Sequence, residues 1–210
     1  MTQLIPAPHS RGGRQQPARR AGRDFRLPAR LAASALVALL APGLAPATAT
    51  TLARMSVQEL AQQATYVARV RCAKTASVAD ENLVWTLTRF DVIEAWKGSP
   101  PSPFVLRLPG GEAAGLRVAV EGAPRFSAGE EVVLFVTADR GRQMNIVSWA
   151  QGTFRIRQNP RIGVEEAVQD TAGLQILDAN SGRRSTGGRR QFPLAELRAA
   201  VSRAVREGAR

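Results

Sequence analysis

The sequence predicts a mainly β domain, a small antiparallel barrel or sandwich, with a short helix before it and an amphipathic helix after it. Two observations carry this. Apolar residues repeat with a period of two in short runs between Tyr66 and Ile156, and most runs are bounded by glycine or proline. At both ends of that interval the period lengthens to that of a helix.

The first helix begins at a capping box. Ser56 stands three residues before Glu59, so its hydroxyl can accept from the Glu59 amide while the carboxylate reaches back to the Ser56 amide. Met55 and Leu60 occupy the hydrophobic-staple positions, and Val57, Leu60, Ala61 and Ala64 form one stripe toward the body. From Tyr66, residues Ala68, Val70 and Cys72 alternate with Arg69 and Arg71, a half-buried strand with a wet outer face. Residues 84–95 form a longer β run with Thr86, Thr88, Phe90 and Val92 on one side. Trp96-Lys97-Gly98 and Ser99-Pro100-Pro101 stop it.

Phe104, Leu106 and Leu108 alternate until Pro109-Gly110-Gly111 forces a reversal. Residues 116–120 and 132–136 are two more strands, and 146–156 another, with Gly152 marking a bulge or a close backbone approach. Residues 164–169 and 174–177 flank Asp170-Thr171-Ala172-Gly173 as a hairpin. The polar, Gly- and Arg-rich stretch 181–191 reads as a mobile linker between a barrel domain at 50–180 and a closing helix at 192–208. That helix has Pro193 at its first position, a stripe of Leu194, Leu197, Val201, Ala204 and Val205, and Gly208 as its stop.

Residues 1–49 read as an export signal. Arg26 and Arg30 precede an apolar run at 31–40, then a Pro42-Gly43 breaker and a small-residue site, Ala47-Thr48-Ala49. The run is shorter than the ~20 residues a spanning helix needs. No cysteine lies at the cleavage site, which excludes lipoprotein anchoring. The net charge of +12 belongs to the two ends. Residues 1–49 hold seven arginines against Asp24, and residues 183–210 hold eight against Glu196 and Glu207. The interval 50–182 has fourteen basic and fourteen acidic residues, so the body is neutral and a nucleic-acid face is not expected.

This inventory excludes much chemistry. The single histidine is His9, inside the signal, so no Ser-His-Asp or Cys-His pair and no histidine-based zinc site can form in the exported part. Cys72 is the only cysteine, which rules out an internal disulfide and suits a small buried hydrophobe. Lys74 and Lys97 are the only lysines, and neither has the spacing of a Ser–Lys dyad. Glu130-Glu131 and Glu165-Glu166 are strand neighbours that point to opposite faces and read as solvated charges. Asp178-Ala179-Asn180-Ser181-Gly182 opens like a calcium loop, but glycine holds its fifth position and Arg189 its twelfth, so it reads as a turn. No cofactor is called for.

A set of blocks, in order, resembles a family of uncharacterised exported bacterial proteins with a small OB-like β-barrel. The blocks are Ala64-Thr65-Tyr66-Val67-Ala68-Arg69-Val70, Phe90-Asp91-Val92 to Trp96-Lys97-Gly98, and Leu108-Pro109-Gly110-Gly111. Then come Ala123-Pro124-Arg125-Phe126-Ser127-Ala128-Gly129-Glu130, Leu134-Phe135 and Ala150-Gln151-Gly152-Thr153-Phe154. Together they span residues 53–157. The barrel is distantly similar to the netrin and tissue-inhibitor-of-metalloprotease modules. Those inhibitors present an amino-terminal cysteine to a metal, whereas a chain cut after Ala49 begins at Thr50, so the resemblance implies a fold and no inhibitory residue.

The function expected is a non-enzymatic binding or accessory module of the bacterial envelope, periplasmic or secreted. Its partner would be an envelope or extracellular protein or polymer. Membrane contact would be limited to the signal segment or, weakly, the arginine-rich tail. A partner or inhibitor of an exported protease and a hydrolase using carboxylates alone stand as alternatives. The binding surface is expected on the loops at 110–116 and 123–129, at Gly110, Gly111, Glu112, Arg125 and Phe126. No catalytic, cofactor or metal residue is assigned.

Overall fold

A computed structural model describes residues 51–80, 83–139 and 143–208. The chain divides into Met1–Pro46 and Ala47–Arg210, and the described residues all belong to the second unit. The expected signal at 1–49 lies outside them.

The described residues are mainly β, as expected. Thirteen strands are present: β1 (Thr51–Ala53), β2 (Tyr66–Asp80), β3 (Leu83–Lys97), β4 (Phe104–Pro109), β5 (Gly111–Ala113), β6 (Leu116–Val118) and β7 (Glu131–Ala138), followed by β8 (Met144–Ile146), β9 (Thr153–Gln158), β10 (Glu165–Asp170), β11 (Gln175–Leu177), β12 (Arg184–Thr186) and β13 (Arg189–Pro193). Helix α1 is Val57–Gln63 and helix α2 is Leu194–Gly208. An antiparallel sheet runs β13-β10-β9-β7-β2-β3-β4, with β8 also paired to β7. β1 pairs in parallel with β11, which pairs with β12, and β5 pairs with β6.

Strand β7 carries the uninterrupted apolar run Val132-Val133-Leu134-Phe135-Val136 because both of its faces are buried. Val133 and Phe135 face a core formed with Leu60, Val67, Phe154, Leu197 and Val201, roofed by α1 and α2. Val132, Leu134 and Val136 face a second core with Val70, Cys72, Phe90, Leu106 and Ile146. Register shifts between β2 and β3, at Val67/Ala68, Arg69/Val70 and Cys72/Lys74, increase the twist and curl this second face inward.

Local signals at the helices match the sequence. Ser56 caps α1, with the Glu59 amide 3.2 Å from its hydroxyl and its own amide donating to Glu59 at 2.7 Å. Lys97, whose catalytic role the sequence already disfavours, donates to the carbonyls of Ala61 (2.7 Å), Gln62 and Ala64 (2.6 Å) at the end of α1. Gly98 has φ of 65°, and a Cβ there would lie 2.8 Å from the Thr65 carbonyl oxygen, so glycine is required after Lys97. Cys72 is fully buried and free, and burial together with Glu130 raises its thiol pKa. No helix among the described residues is long and apolar enough to cross a membrane.

Four expectations need correction. The stretch 181–191 is not a linker along its length: it contains β12 and the start of β13, whose Arg189 lies opposite Asp170 and bonds it at 2.9 Å. β12 is exposed along its length and β13 is exposed except at Phe192, so no alternation marks them in the sequence. The segments 164–169 and 174–177 do not form a hairpin, because β10 pairs with β9 and β13 while β11 joins the small sheet with β1 and β12. The expected strand at 146–156 is broken into β8, a 3-10 turn (Trp149–Gly152) and β9, all along one side of β7. Pro193 ends β13, and α2 starts at Leu194. The sheet order also leaves β4 and β13 at its edges, with no hydrogen-bonded closure among the described residues.

Candidate functional site

The expected loops meet at one end of the curled face. Gly110 continues the β3–β4 ladder through its amide, which donates to the Val84 carbonyl at 2.7 Å, while its own carbonyl accepts from the Thr86 hydroxyl at 2.7 Å. Gly111 then crosses so near the strands that a Cβ would sit 2.4 Å from Ser77 Oγ and 2.5 Å from Thr86 Oγ1. Its φ of 137° and this contact both demand glycine. The chain returns through a hairpin, β5–β6, turned at Ala114 (φ 51°) and Gly115 (φ 75°). What reads in the sequence as a loop is therefore paired backbone.

The second loop, residues 119–130, arrives from the other side. Phe126 is buried edge-on against Phe90, with ring centroids 5.0 Å apart, so its main part is to close the core. Arg155 ties the loop down: it pairs with Glu130, donates to the Arg125 carbonyl at 2.8 Å and lies over the Phe126 ring. The Arg125 guanidinium itself is exposed and donates to the Val118 carbonyl at 3.2 Å, linking the two loops.

Between them lies a cleft of about 190 Å³ lined by Gly110, Gly111, Glu112, Arg125 and Phe126, together with Ser77, Thr86 and Thr88. All five residues singled out in the sequence thus border one space. The threonine hydroxyls at its floor were missed as site residues, because on a β strand threonine is ordinary. Ser77 Oγ and Thr86 Oγ1 are 3.1 Å apart and bond each other. Thr88 differs: its side chain is fully buried, and its Oγ1 has no hydrogen-bond partner among the described residues. A buried hydroxyl without a partner costs about 1–3 kcal/mol, which a hydrogen-bonding molecule in the cleft would recover.

Pro124 forms a divide between this cleft and two larger ones. A cleft of about 410 Å³ lies against Trp85, Arg107, Pro109, Asn145 and Trp149. Another of about 440 Å³ lies against Glu121, Arg125, Arg155 and Asp170. The Asp170 carboxyl is held below its usual pKa by the Ala172 amide and by Arg189.

The 3-10 turn at Trp149 is held against its own backbone preference. Ser148 and Trp149 have φ of 49° and 48°, a left-handed conformation that costs non-glycine residues about 1–2 kcal/mol each. The buried Gln151 side chain overrides this: it donates to the Ala53 carbonyl (2.7 Å) and Ser148 Oγ (2.8 Å) and accepts from the Met55 amide (3.0 Å). Gln169 donates to the Gln151 carbonyl at 2.6 Å. Gly152 is pressed so closely that a Cβ would lie 2.2 Å from the Val147 carbonyl oxygen, the close approach its place in a strand pattern suggests.

Of the acidic pairs read as solvated charges, Glu130, Glu131 and Glu165 are in ion pairs, Glu165 staying about half exposed, and Glu166 accepts from the Asn159 side-chain amide. Glu131 bonds Arg69 and Arg71 at 2.6 Å, and Glu165 reaches the same Arg69 at 2.7 Å. The hydrogen bond from Arg71, then that from Arg69, lowers the Glu131 pKa, which suits a brace and opposes a proton donor. At the calcium-like segment, Asp178 Oδ1 accepts from the amides of Asn180 and Ser181, which makes it the turn expected. Among the described residues no group of His, Cys, Asp and Glu is placed to hold a metal. No family model matches the chain, and no curated protein or solved structure is detectably similar to it.

Proposed function

We propose that this protein is an exported, non-enzymatic binding module of the bacterial envelope, and that it takes its ligand at the loop end of the curled face. The observation that carries this is the unpartnered Thr88 hydroxyl at the floor of a cleft bracketed by two fixed loops. A site of this kind is preorganised: Gly110, Gly111 and Arg155 set the walls without a ligand. The curl supports an OB-like barrel, since β4 and β8 approach within 8 Å at their Cα atoms and five strands (β2, β3, β4, β7 and β8) contribute to one core. Export is supported by the signal pattern at residues 26–49.

The test combines location and binding. Amino-terminal sequencing of protein recovered outside the cytoplasm is expected to begin at Thr50; an uncut chain found only in the cytoplasm refutes export. Sedimentation of the purified protein with isolated envelope, scored against Thr88→Val and Arg125→Ala, is expected to show binding that both changes weaken. Thr88→Val keeps the side-chain shape, so equal binding by folded Thr88→Val removes the cleft from the function.

A further inference from the structure

The Trp85–Trp149 cleft has a composition that selects its ligand. We infer that it is a subsite for a neutral saccharide, next to the hydroxyl-floored cleft and separated from it by Leu108, Pro109 and Pro124, which border both. The inference rests on the reading of this end of the protein as a ligand-binding surface and names the class of ligand.

Among the described residues, the charge that borders the cleft is paired within the protein. Its one ionic lining residue among the described residues is Arg107, whose guanidinium lies 4.3 Å from the Trp85 ring centroid and bonds Asp80 at 2.5 Å. A stacked and paired arginine offers donors without a net charge to neutralise, so neither an anion nor a cation is favoured. The walls are aromatic and proline surface: Trp85, Trp149, Pro109 and Pro124. Two exposed amides, Gln143 and Asn145, complete the lining, and neither side chain has a hydrogen-bond partner among the described residues.

Those amides decide between the two neutral ligands that suit aromatic walls. Each amide presents both donors and an acceptor. A proline-rich peptide offers carbonyl acceptors but lacks the N–H of its prolines, so the amide oxygens would go unmatched. A sugar hydroxyl both donates and accepts, and the C–H face of a sugar ring packs on an indole. A volume of about 410 Å³ is near the lower end of the ~300–1,000 Å³ of small-molecule sites, room for a mono- or disaccharide unit. The strained Trp149 backbone fits this use, because the Gln151 and Gln169 bonds hold the turn that carries the indole.

The experiment titrates protein purified from cells expressing the full chain with neutral β-linked and α-linked glucose and N-acetylglucosamine oligosaccharides. Tryptophan fluorescence and calorimetry provide the readouts, and a proline-rich peptide is the competing arm. Saturable quenching by at least one oligosaccharide is expected, with a dissociation constant of about 1 mM or tighter. Trp149→Ala is expected to weaken it roughly tenfold or more. Asn145→Ala alters an exposed side chain, so it tests the cleft should Trp149→Ala not fold, and is expected to weaken binding severalfold. Absence of binding by every oligosaccharide at ~10 mM overturns the inference. Peptide binding that depends on Trp149 also overturns it, while leaving the binding-module reading intact. Oligosaccharide binding unaffected by either change, yet lost in Thr88→Val, moves the sugar to the neighbouring cleft and equally overturns it.

Discussion

The two faces of β7 are buried in contrasting ways. On one face, Val133 and Phe135 lie beneath two helices, and the roof is continuous: Leu60, Leu197 and Val201 are each 1% exposed or less. The polar groups there finish helices, as when Lys97 closes the carbonyl end of α1. On the other face, Val132, Leu134 and Val136 line a curl whose end is covered by loops, with Thr88, Ser77 and Thr86 hydroxyls beneath them. One face is closed by regular structure and carries stability. The other is finished by glycine-rich backbone pressed close to the strands at Gly111, with a cleft of about 190 Å³ left beside it.

This division can be broken most sharply on the helix side. Leu197→Ala is expected to cost about 2–5 kcal/mol, read from thermal or denaturant unfolding, while the protein that remains folded keeps its affinity. Loss of binding at a temperature where the far-ultraviolet spectrum is native would show that the faces are coupled. Gln151→Leu is the next largest, roughly 2–3 kcal/mol, since it strands the Met55 amide and the Ala53 carbonyl. Unlike Leu197→Ala, it is expected to release Trp149 and to change the near-ultraviolet spectrum before the protein melts.

Acid sharpens the comparison. The Glu131 carboxylate, held by Arg71 and Arg69, has a folded pKa below its unfolded value of about 4.3. Its stabilisation is therefore complete above that pH and is lost as the pH falls through the folded value. Glu131→Gln is expected to cost about 1 kcal/mol at neutral pH and to flatten the loss of stability below pH ~4. An unchanged acid slope would remove this network from the account. Thr88→Val is the smallest change, expected to leave stability unchanged or to raise it by about 1 kcal/mol, because it deletes a buried hydroxyl that has no partner among the described residues. Its effect is reserved for binding.

Much of this was legible in short stretches of sequence. Ser56 and Glu59 are three residues apart, so their capping box is a local matter, and the alternation of Ala68, Val70 and Cys72 encodes a face that no partner strand needed to reveal. The turn at Asp178 and the glycine at 152 were readable for the same reason. Strand partners were not. The segments at 165–170 and 175–177 look like a hairpin from their spacing, yet β10 pairs with β9 before it and with β13, while β11 pairs with β12 after it and with the distant β1.

By itself, then, the sequence determined that the domain is mainly β and where its first helix begins. Only the tertiary structure decided that residues 110–112 and 125–126 border the same cleft, and that Thr88 lies unpaired beneath them. It also made strands of 184–186, paired with β11, and of 189–191, where Arg189 is set against Asp170. The physical reason is range. Periodicity and capping act within a few residues, whereas a cleft and a sheet ladder depend on long-range closure that local sequence does not record.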